Sequence, residues 1–421
     1  MRVIVCGGGI GGLVLAQALR AVADVTVLER DRRPADTGGY RLHLDHHACA
    51  VLGRVLDPAV LAEIRAVSDP ASSFTQFTVA NRRLDPILIG RQDPGEDRIL
   101  IQRQALRLLL TRGVEGRVRW GTAVAGVRQE GREPRVLLAD GRRLAADLVV
   151  AADGSLSPTI ASLLGTPTST DLGLVGIAGS TPVSGNRSTP GFLRHGPALA
   201  FAGNGTTVFL TVTAAPPAPV AADVAATVPP PSVIWSVIMR RSDLSGGMPQ
   251  GGAALIRTAA ERLAGWDPWL TATVRSADPS RTVAFPLRSA NHRSDLTPWR
   301  PGNTTALGDA VHAMPPTGGL GAATAIRGAD HLARAIASAG PTGADVADAV
   351  AAYEAAMPTW AVPAIRQSLH PVRVIRLLGN PVLAAMATPL LAGAGAVGRR
   401  THRGGRPRRG PGSPRSPRTG W

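Results

Sequence analysis

An α/β chain in which a framework of parallel strands and helices is interrupted by a mostly antiparallel sheet is the architecture this sequence predicts. Three observations carry it. Residues 3–29 run from an apolar strand through a glycine-rich turn and a helix into a second strand. From about Leu172 to Phe285 the pattern breaks into short β-like runs punctuated by Gly, Pro and Asn. A further apolar strand, Thr304–Leu307, followed by a helix over about Ala322–Ser338, then restores the first pattern.

The opening is the most specific part. Val3–Cys6 enters Gly7-Gly8-Gly9-Ile10-Gly11-Gly12, and a helix and the strand Thr26–Leu28 follow before Glu29. Gly7, Gly9 and Gly12 fall on G-x-G-x-x-G, and Glu29, with Arg30 beside it, stands where a ribose-binding carboxylate is expected. The first glycine permits a tight turn, the second lets backbone approach a pyrophosphate, and the third lets helix and strand pack closely. The helix N-terminus offers free N–H groups and a positive dipole end to phosphate. Dinucleotide binding is the expectation.

Further along, Pro34–Gly39 reads as a loop, Leu42–Leu56 as helical, and Phe74–Val79 and Ile87–Ile89 as short strands. Gln102–Leu110 has helical spacing with Arg103 at its start, and alternating strands lead to Asp147–Ala152. That last strand delivers Asp153-Gly154 to its carboxyl end, where ligands bind in open α/β sheets. Ala306-Leu307-Gly308-Asp309 repeats the device and runs through a Pro/Gly loop, Pro315-Pro316-Thr317-Gly318-Gly319-Leu320-Gly321, into a helix N-terminus. An aspartate there accepts ribityl or ribose hydroxyls, and the helix end stabilises negative charge on a reduced isoalloxazine. Together the motifs point to a flavin dinucleotide.

Composition bounds the alternatives. The chain has 421 residues and 44% hydrophobic content, enough for two or three domains with a large core. The net charge of +16 comes from arginine alone, because the chain contains no lysine. Much of it sits in Arg399–Trp421, a Pro/Gly/Ser-rich stretch with eight arginines and no acid, which reads as a disordered basic tail. A non-functional extension is preferred there over a nucleic-acid or anionic-lipid contact, and no nucleic-acid partner is expected. Two cysteines, Cys6 and Cys49, are too few for a disulfide framework and suggest a reducing, cytoplasmic setting. The apolar stretch Leu377–Val397 is broken by Asn380-Pro381, Thr388-Pro389 and glycines, so core helices are expected rather than a membrane span. His43, His46, His47 and His195 lack metal-ligand spacing, and no metal is expected. His312 is read as structural rather than as an acid–base residue.

Over most of residues 1–395 the chain resembles the single-component FAD-dependent aromatic hydroxylases, the p-hydroxybenzoate hydroxylase-like monooxygenases. The resemblance rests on the opening fingerprint, Asp153-Gly154, and Gly308-Asp309 with its following loop. It also matches Arg103 to a flavin-contacting arginine before a helix, and Arg41 to a loop arginine near the cofactor. It implies a Rossmann-like FAD-binding domain in three pieces, 1–72, 98–171 and 281–345, and a substrate-binding β-sheet domain of 73–97 and 172–280. C-terminal helices over 346–398 and the tail at 399–421 complete the chain.

The implied cofactor set is FAD, held by Gly7, Gly9, Gly12, Glu29, Arg30, Arg41, Arg103, Asp153, Gly154, Asp309, Pro315, Gly318, Gly319, Leu320 and Gly321, with NAD(P)H as a transient co-substrate. The implied reaction is hydroxylation of an aromatic or polyketide-like molecule by O₂ through a flavin C4a-hydroperoxide, which requires no catalytic side chain to be assigned. Phe192, Phe201, Phe209, Trp235 and Met239 are candidates for the substrate pocket, with plain core packing the alternative for each. The chain departs from the family where relatives carry Asn and Asp and it has Ala323 and Gly328. It departs again after Ser157, where Pro158-Thr159-Ile160 replaces a common arginine. A flavin-dependent halogenase is excluded by the missing lysine and W-x-W-x-I-P motif. A reductase or dehydrogenase of the same superfamily, or a weakened FAD-binding protein, remains open.

Overall fold

The computed structural model describes residues 1–378 apart from 94, 131–132, 184–188, 203, 217–219, 245–246 and 339–345. The tail at 399–421, and all but the first two residues of Leu377–Val397, therefore lie outside the described residues.

A five-stranded parallel sheet forms the framework, in the order Thr304–Ala306, Leu148–Ala151, Arg2–Cys6, Asp24–Leu28, Val118–Arg119. Its register sets Cys6 beside both Leu28 and Ala151, and Ala151 beside Ala306. The residues that follow these strands, Gly7, Glu29, Ala152-Asp153 and Leu307-Gly308-Asp309, thus emerge along one edge. Motifs as far apart in sequence as Gly7 and Asp309 meet because parallel strands all present the same end.

The two faces of that sheet are covered differently, as period-two alternation requires. Val3 and Val5 of the first strand pack with the helices Ile10–Leu19 and Gly321–Ser338 in the largest core cluster. Ile4 and Cys6 face a three-stranded antiparallel layer and pack with Val127, Val136 and Leu138. Cys6 is fully buried, and burial pushes its thiol well above the usual range, so it serves as a small apolar residue. Leu13, Leu15 and Leu19 are also fully buried, each contributing about 1.5–3 kcal/mol of transfer free energy.

The interrupting sheet has seven strands, in the order Val283–Ala290, Ser169–Pro182, Ser232–Arg240, Thr207–Val212, Ala198–Phe201, Gln76–Asn81, Pro86–Arg91. Every pairing is antiparallel except that of Ala198–Phe201 with Gln76–Asn81. Val283–Ala290, expected in the FAD-binding part, belongs to this sheet, because it pairs with Ser169–Pro182 over most of its length. The helices Gly252–Arg262 and Pro268–Arg275 back one face, and the long helix Pro358–Leu378 packs on the other. The region 42–56 splits into the strand Arg41–Leu44 and the helix His46–Val55, which Asp45 caps through its carboxylate to Ala48 N–H. No helix among the described residues is long and apolar enough to cross a membrane.

Candidate cofactor site

The glycine turn is built for a close backbone approach. Gly7 has φ +115°, and a Cβ there would fall 2.3 Å from Ala152 O. A Cβ on Gly12 would meet Gly7 O at 2.1 Å and Val5 Cγ1 at 3.2 Å, which is the close helix–strand packing expected of the third glycine. At Gly9 the nearest atom, Ala152 O, is 4.0 Å away, so this backbone faces open space. The helix Ile10–Leu19 starts there without a side-chain cap, and its first closed bond is Leu13 N–H to Gly9 O. The earlier N–H groups are free to meet an anion.

From Gly9 the cleft extends in two directions. Toward Glu29 it forms a cavity of about 310 Å³ that also touches Arg30, Asp31, Arg103, Arg107 and Asp153. Glu29 accepts hydrogen bonds from Gly8 N–H at 2.7 Å and Asp31 N–H at 2.8 Å. Arg107 donates to the same carboxylate at 2.8 Å, to Asp31 at 2.6 Å and to Gly8 O at 2.7 Å, and its guanidinium lies over Trp120. Arg107 is 2% exposed, so this is a buried, fully matched charge network. Sequence reasoning missed Arg107. The available signal was its position four residues after Arg103 in the helix Arg103–Leu109, which puts both on one face.

Toward Asp309 the cavity measures about 260 Å³ and shares Gly9, Arg103, Ala152 and Gly154 with the first, so the two form one bent cleft. Asp309 opens the short helix after Gly308 (φ +64°) and is exposed to this cavity, while protein surrounds it on its other sides. That surrounding raises its pKa, and the Arg103 charge opposes the rise. Arg103 Nε is buried without a hydrogen-bond partner, and burial lowers its pKa, with Asp309 opposing. Asp153 is similarly incomplete. Its Oδ2 accepts from Thr159 Oγ1 at 2.6 Å and Thr159 N–H at 3.2 Å, Oδ1 has no partner, and burial raises its pKa. The departure at Pro158-Thr159-Ile160 thus makes a capped helix start, with Ser157 Oγ accepting Ile160 N–H at 3.0 Å.

The Pro/Gly loop divides its expected contacts. Gly319 (φ +66°) and Gly321 line the cavity with Pro316 and Met314, and the 18-residue helix Gly321–Ser338 begins at its wall. Gly318 faces the other way, since a Cβ there would fall 2.5 Å from Ser368 Oγ on the C-terminal helix. Its small size serves packing, as does Thr317 Oγ1 donating to Ser368 O at 2.6 Å. Pro315 and Leu320 are not in the cavity lining; Pro315 is buried and Leu320 packs on the main core.

Arg41 lines the cavity, but its guanidinium is committed elsewhere. It pairs with Asp69 at 2.5 Å, donates to Val212 O at 3.0 Å and reaches Thr211 Oγ1. Tyr40 donates to Ala178 O at 2.9 Å and contacts Arg281 O, so the two side chains staple the framework to the seven-stranded sheet. His312 is 0% exposed, both ring nitrogens lack partners, and burial pushes its pKa down to about 4, so it stays neutral near pH 7.

Strand alternation sorts the five aromatic and Met candidates. Trp235 and Met239 point with Val233 and Val237 toward the backing helices, and Phe192 packs against that same cluster. Trp235 and Met239 are thus core on the face away from the C-terminal helix, with Phe192 partly buried against it, and it is the core-packing alternative that these three candidates take. Phe201 and Phe209 lie on the opposite face with Leu199, Ile238 and Leu287.

The family model described as "FAD binding domain" matches residues 1–195 and 275–362. The chain belongs to this family. A dual O-methyltransferase/FAD-dependent monooxygenase of Cercospora beticola is 26% identical over 400 residues, spanning 85% of this chain and 44% of the relative. The chain thus covers less than half the length of that protein. An FAD-dependent urate hydroxylase of Mycolicibacterium vanbaalenii is 26% identical over 369 residues, spanning 85% and 84%. The solved Klebsiella pneumoniae HpxO, complexed with FAD and uric acid, superposes with TM-score 0.72 at 20% identity, over 96% of this chain and 95% of that one. These relatives are FAD-dependent monooxygenases or share their fold, and FAD is the cofactor of this FAD-binding chain.

Proposed function

We propose that this chain is a monooxygenase that uses NAD(P)H and O₂ to oxygenate a small aromatic or polyketide-like molecule. The observation that carries the reading is the single bent cleft from Glu29 to Gly321, with buried polar atoms of Arg103 and Asp153 unpaired along it. Those atoms fit a long, polar cofactor with a dinucleotide middle. Gly9 and the first N–H groups of Ile10–Leu19 would hold the pyrophosphate, and Glu29 keeps acceptor capacity for ribose hydroxyls. Asp309 would take ribityl hydroxyls, and the N-terminus of Gly321–Ser338 would stabilise negative charge at the ring end. The bound flavin supplies reductive activation of O₂ and oxygen transfer. This chain's task is to orient the substrate and keep water out, and Phe201 and Phe209, on the sheet face toward the C-terminal helix, are the remaining aromatic candidates for its pocket.

One observation favours a second reading, an FAD-binding protein with weakened catalysis. His312 and Trp360 surround Gly328 with ring nitrogens that have no partner, so the helix beside the ring end is supported less completely than a side chain at 328 would allow. Following NADPH oxidation and O₂ uptake by the FAD-loaded protein across a panel of aromatic compounds tests both. Oxygenated product supports monooxygenation. A yellow protein that yields none supports the second reading.

A further inference from the structure

A separate groove of about 280 Å³ lies between the Ser289–Arg293 segment and the C-terminal helix, with Thr170, Ser289, Asn291, Arg293 and Arg373 in its wall. Ala290, also in the wall, donates its N–H to Ala313 O at 2.8 Å, and the next residue, Met314, lines the cofactor cleft. Charge here is unmatched. The charges acting on His292, in the groove wall, are Arg366, Arg293 and Arg373, all of one sign. Among the described residues none of these three guanidiniums has a carboxylate partner. Arg366 and Arg373 stand seven residues apart on Pro358–Leu378, two turns along one face.

The adjoining arginines differ. Arg241 pairs with Asp171 at 2.6 Å, Arg240 with Asp243 at 3.1 Å, and Arg376 donates to Leu172 O at 2.8 Å. Residues 379–421, which follow this helix in sequence, contain neither Asp nor Glu. Two guanidiniums in the wall without carboxylate partners, a third acting on the same histidine, and the Asn291 side-chain amide make a site for a multiply charged anion.

We propose that this groove binds the adenosine 2′-phosphate end of NADPH and thereby selects NADPH over NADH. The inference rests on the proposed use of a nicotinamide reductant. An aromatic substrate with one carboxylate would leave one of the two wall guanidiniums, Arg293 or Arg373, unmatched, whereas a nucleotide carrying a 2′-phosphate and a pyrophosphate has a group for each.

The test is calorimetric titration of the FAD-loaded full chain with adenosine 2′,5′-diphosphate, ADP and inorganic phosphate, in wild type and in Arg293→Gln/Arg373→Gln. Adenosine 2′,5′-diphosphate should bind about tenfold or more tightly than either control, and the double variant should lose about tenfold or more of that affinity. FAD content should stay unchanged, and KM should rise more for NADPH than for NADH. Arg→Lys replacements at both positions should retain most of the binding. Equal binding by wild type and the Gln variant overturns the proposal. So does phosphate binding as tightly as the nucleotide, which is an adventitious ion only. A protein that holds FAD but oxidises no reductant defeats the activity reading, while the calorimetry still decides the groove.

Discussion

The two ends of the cofactor cleft differ in how their charges are matched. At the Glu29 end the buried Glu29–Arg107–Asp31 charges answer one another within the chain, with the backbone of Gly8 completing them. Toward the Asp309 end, Arg103 Nε is buried without a partner on a side chain that both halves of the cleft share, and Asp309 sits with a raised pKa opposite the Arg103 charge. The matched end is part of the fold's own stability. The unmatched end carries a desolvation cost of about 1–3 kcal/mol per orphaned group that a bound ligand recovers. Stability and binding should therefore separate by position along one cleft.

Substituting the two arginines of one helix breaks or sharpens that contrast. Arg107→Ala leaves the buried Glu29 carboxylate unpaired and should cost about 3–5 kcal/mol of unfolding free energy, read by denaturant titration of the apo protein. Arg103→Ala should change apo stability by less than about 1 kcal/mol yet weaken FAD binding about tenfold or more, read by flavin fluorescence. If both variants lost stability equally, the two ends would not differ as argued.

Two smaller effects concern His312. It titrates at about 4 in the fold against 6.5 when free. Its folded pKa is depressed, so the unfolded chain takes up the proton first. The neutral ring's contribution is whole above pH 6.5, is lost as pH falls from 6.5 to about 4, and changes no further below that. Buried carboxyls such as Glu354 and Asp153 are raised and act in the opposite sense, so the comparison is made against His312→Gln. The stability advantage of wild type over that variant should shrink by on the order of 3 kcal/mol across the window, in urea titrations at stepped pH. A constant difference would place the ring in a hydrated environment.

Gly328→Ser should raise Tm by a few degrees. A Cβ at 328 would lie 3.5 Å from Tyr353 Oη, 3.8 Å from His312 Nε2 and 4.0 Å from Trp360 Nε1, so it fits without displacement and sets a hydroxyl near two orphaned ring nitrogens. A fall in Tm would mean the space is already filled.

What the sequence made legible was whatever the backbone carries. Gly7, Gly12 and the strand-ending aspartates are readable because a turn, a close approach and a parallel-sheet edge each demand a residue type at a fixed spacing. Side-chain partnerships over long separations were not readable. Nothing near Arg41 in sequence announces Thr211 and Val212, and nothing near Gly318 announces Ser368. Trp235 and Met239 stayed open between pocket and core because an apolar strand reads alike whichever face its odd residues take, and the choice is made by helices that follow later. The same limit put Val283–Ala290 in the FAD-binding part, since the strand it pairs with ends about a hundred residues earlier.

The central claim is that the unmatched end is completed by FAD. Titrating the apo protein with FAD, and repeating the titration with Asp309→Asn, tests it most directly. The account predicts saturable binding of one FAD per chain with a rise in Tm, and about tenfold weaker binding in the variant without loss of apo stability. A chain that stays colourless after reconstitution, or a variant that binds FAD as tightly as wild type, would contradict it.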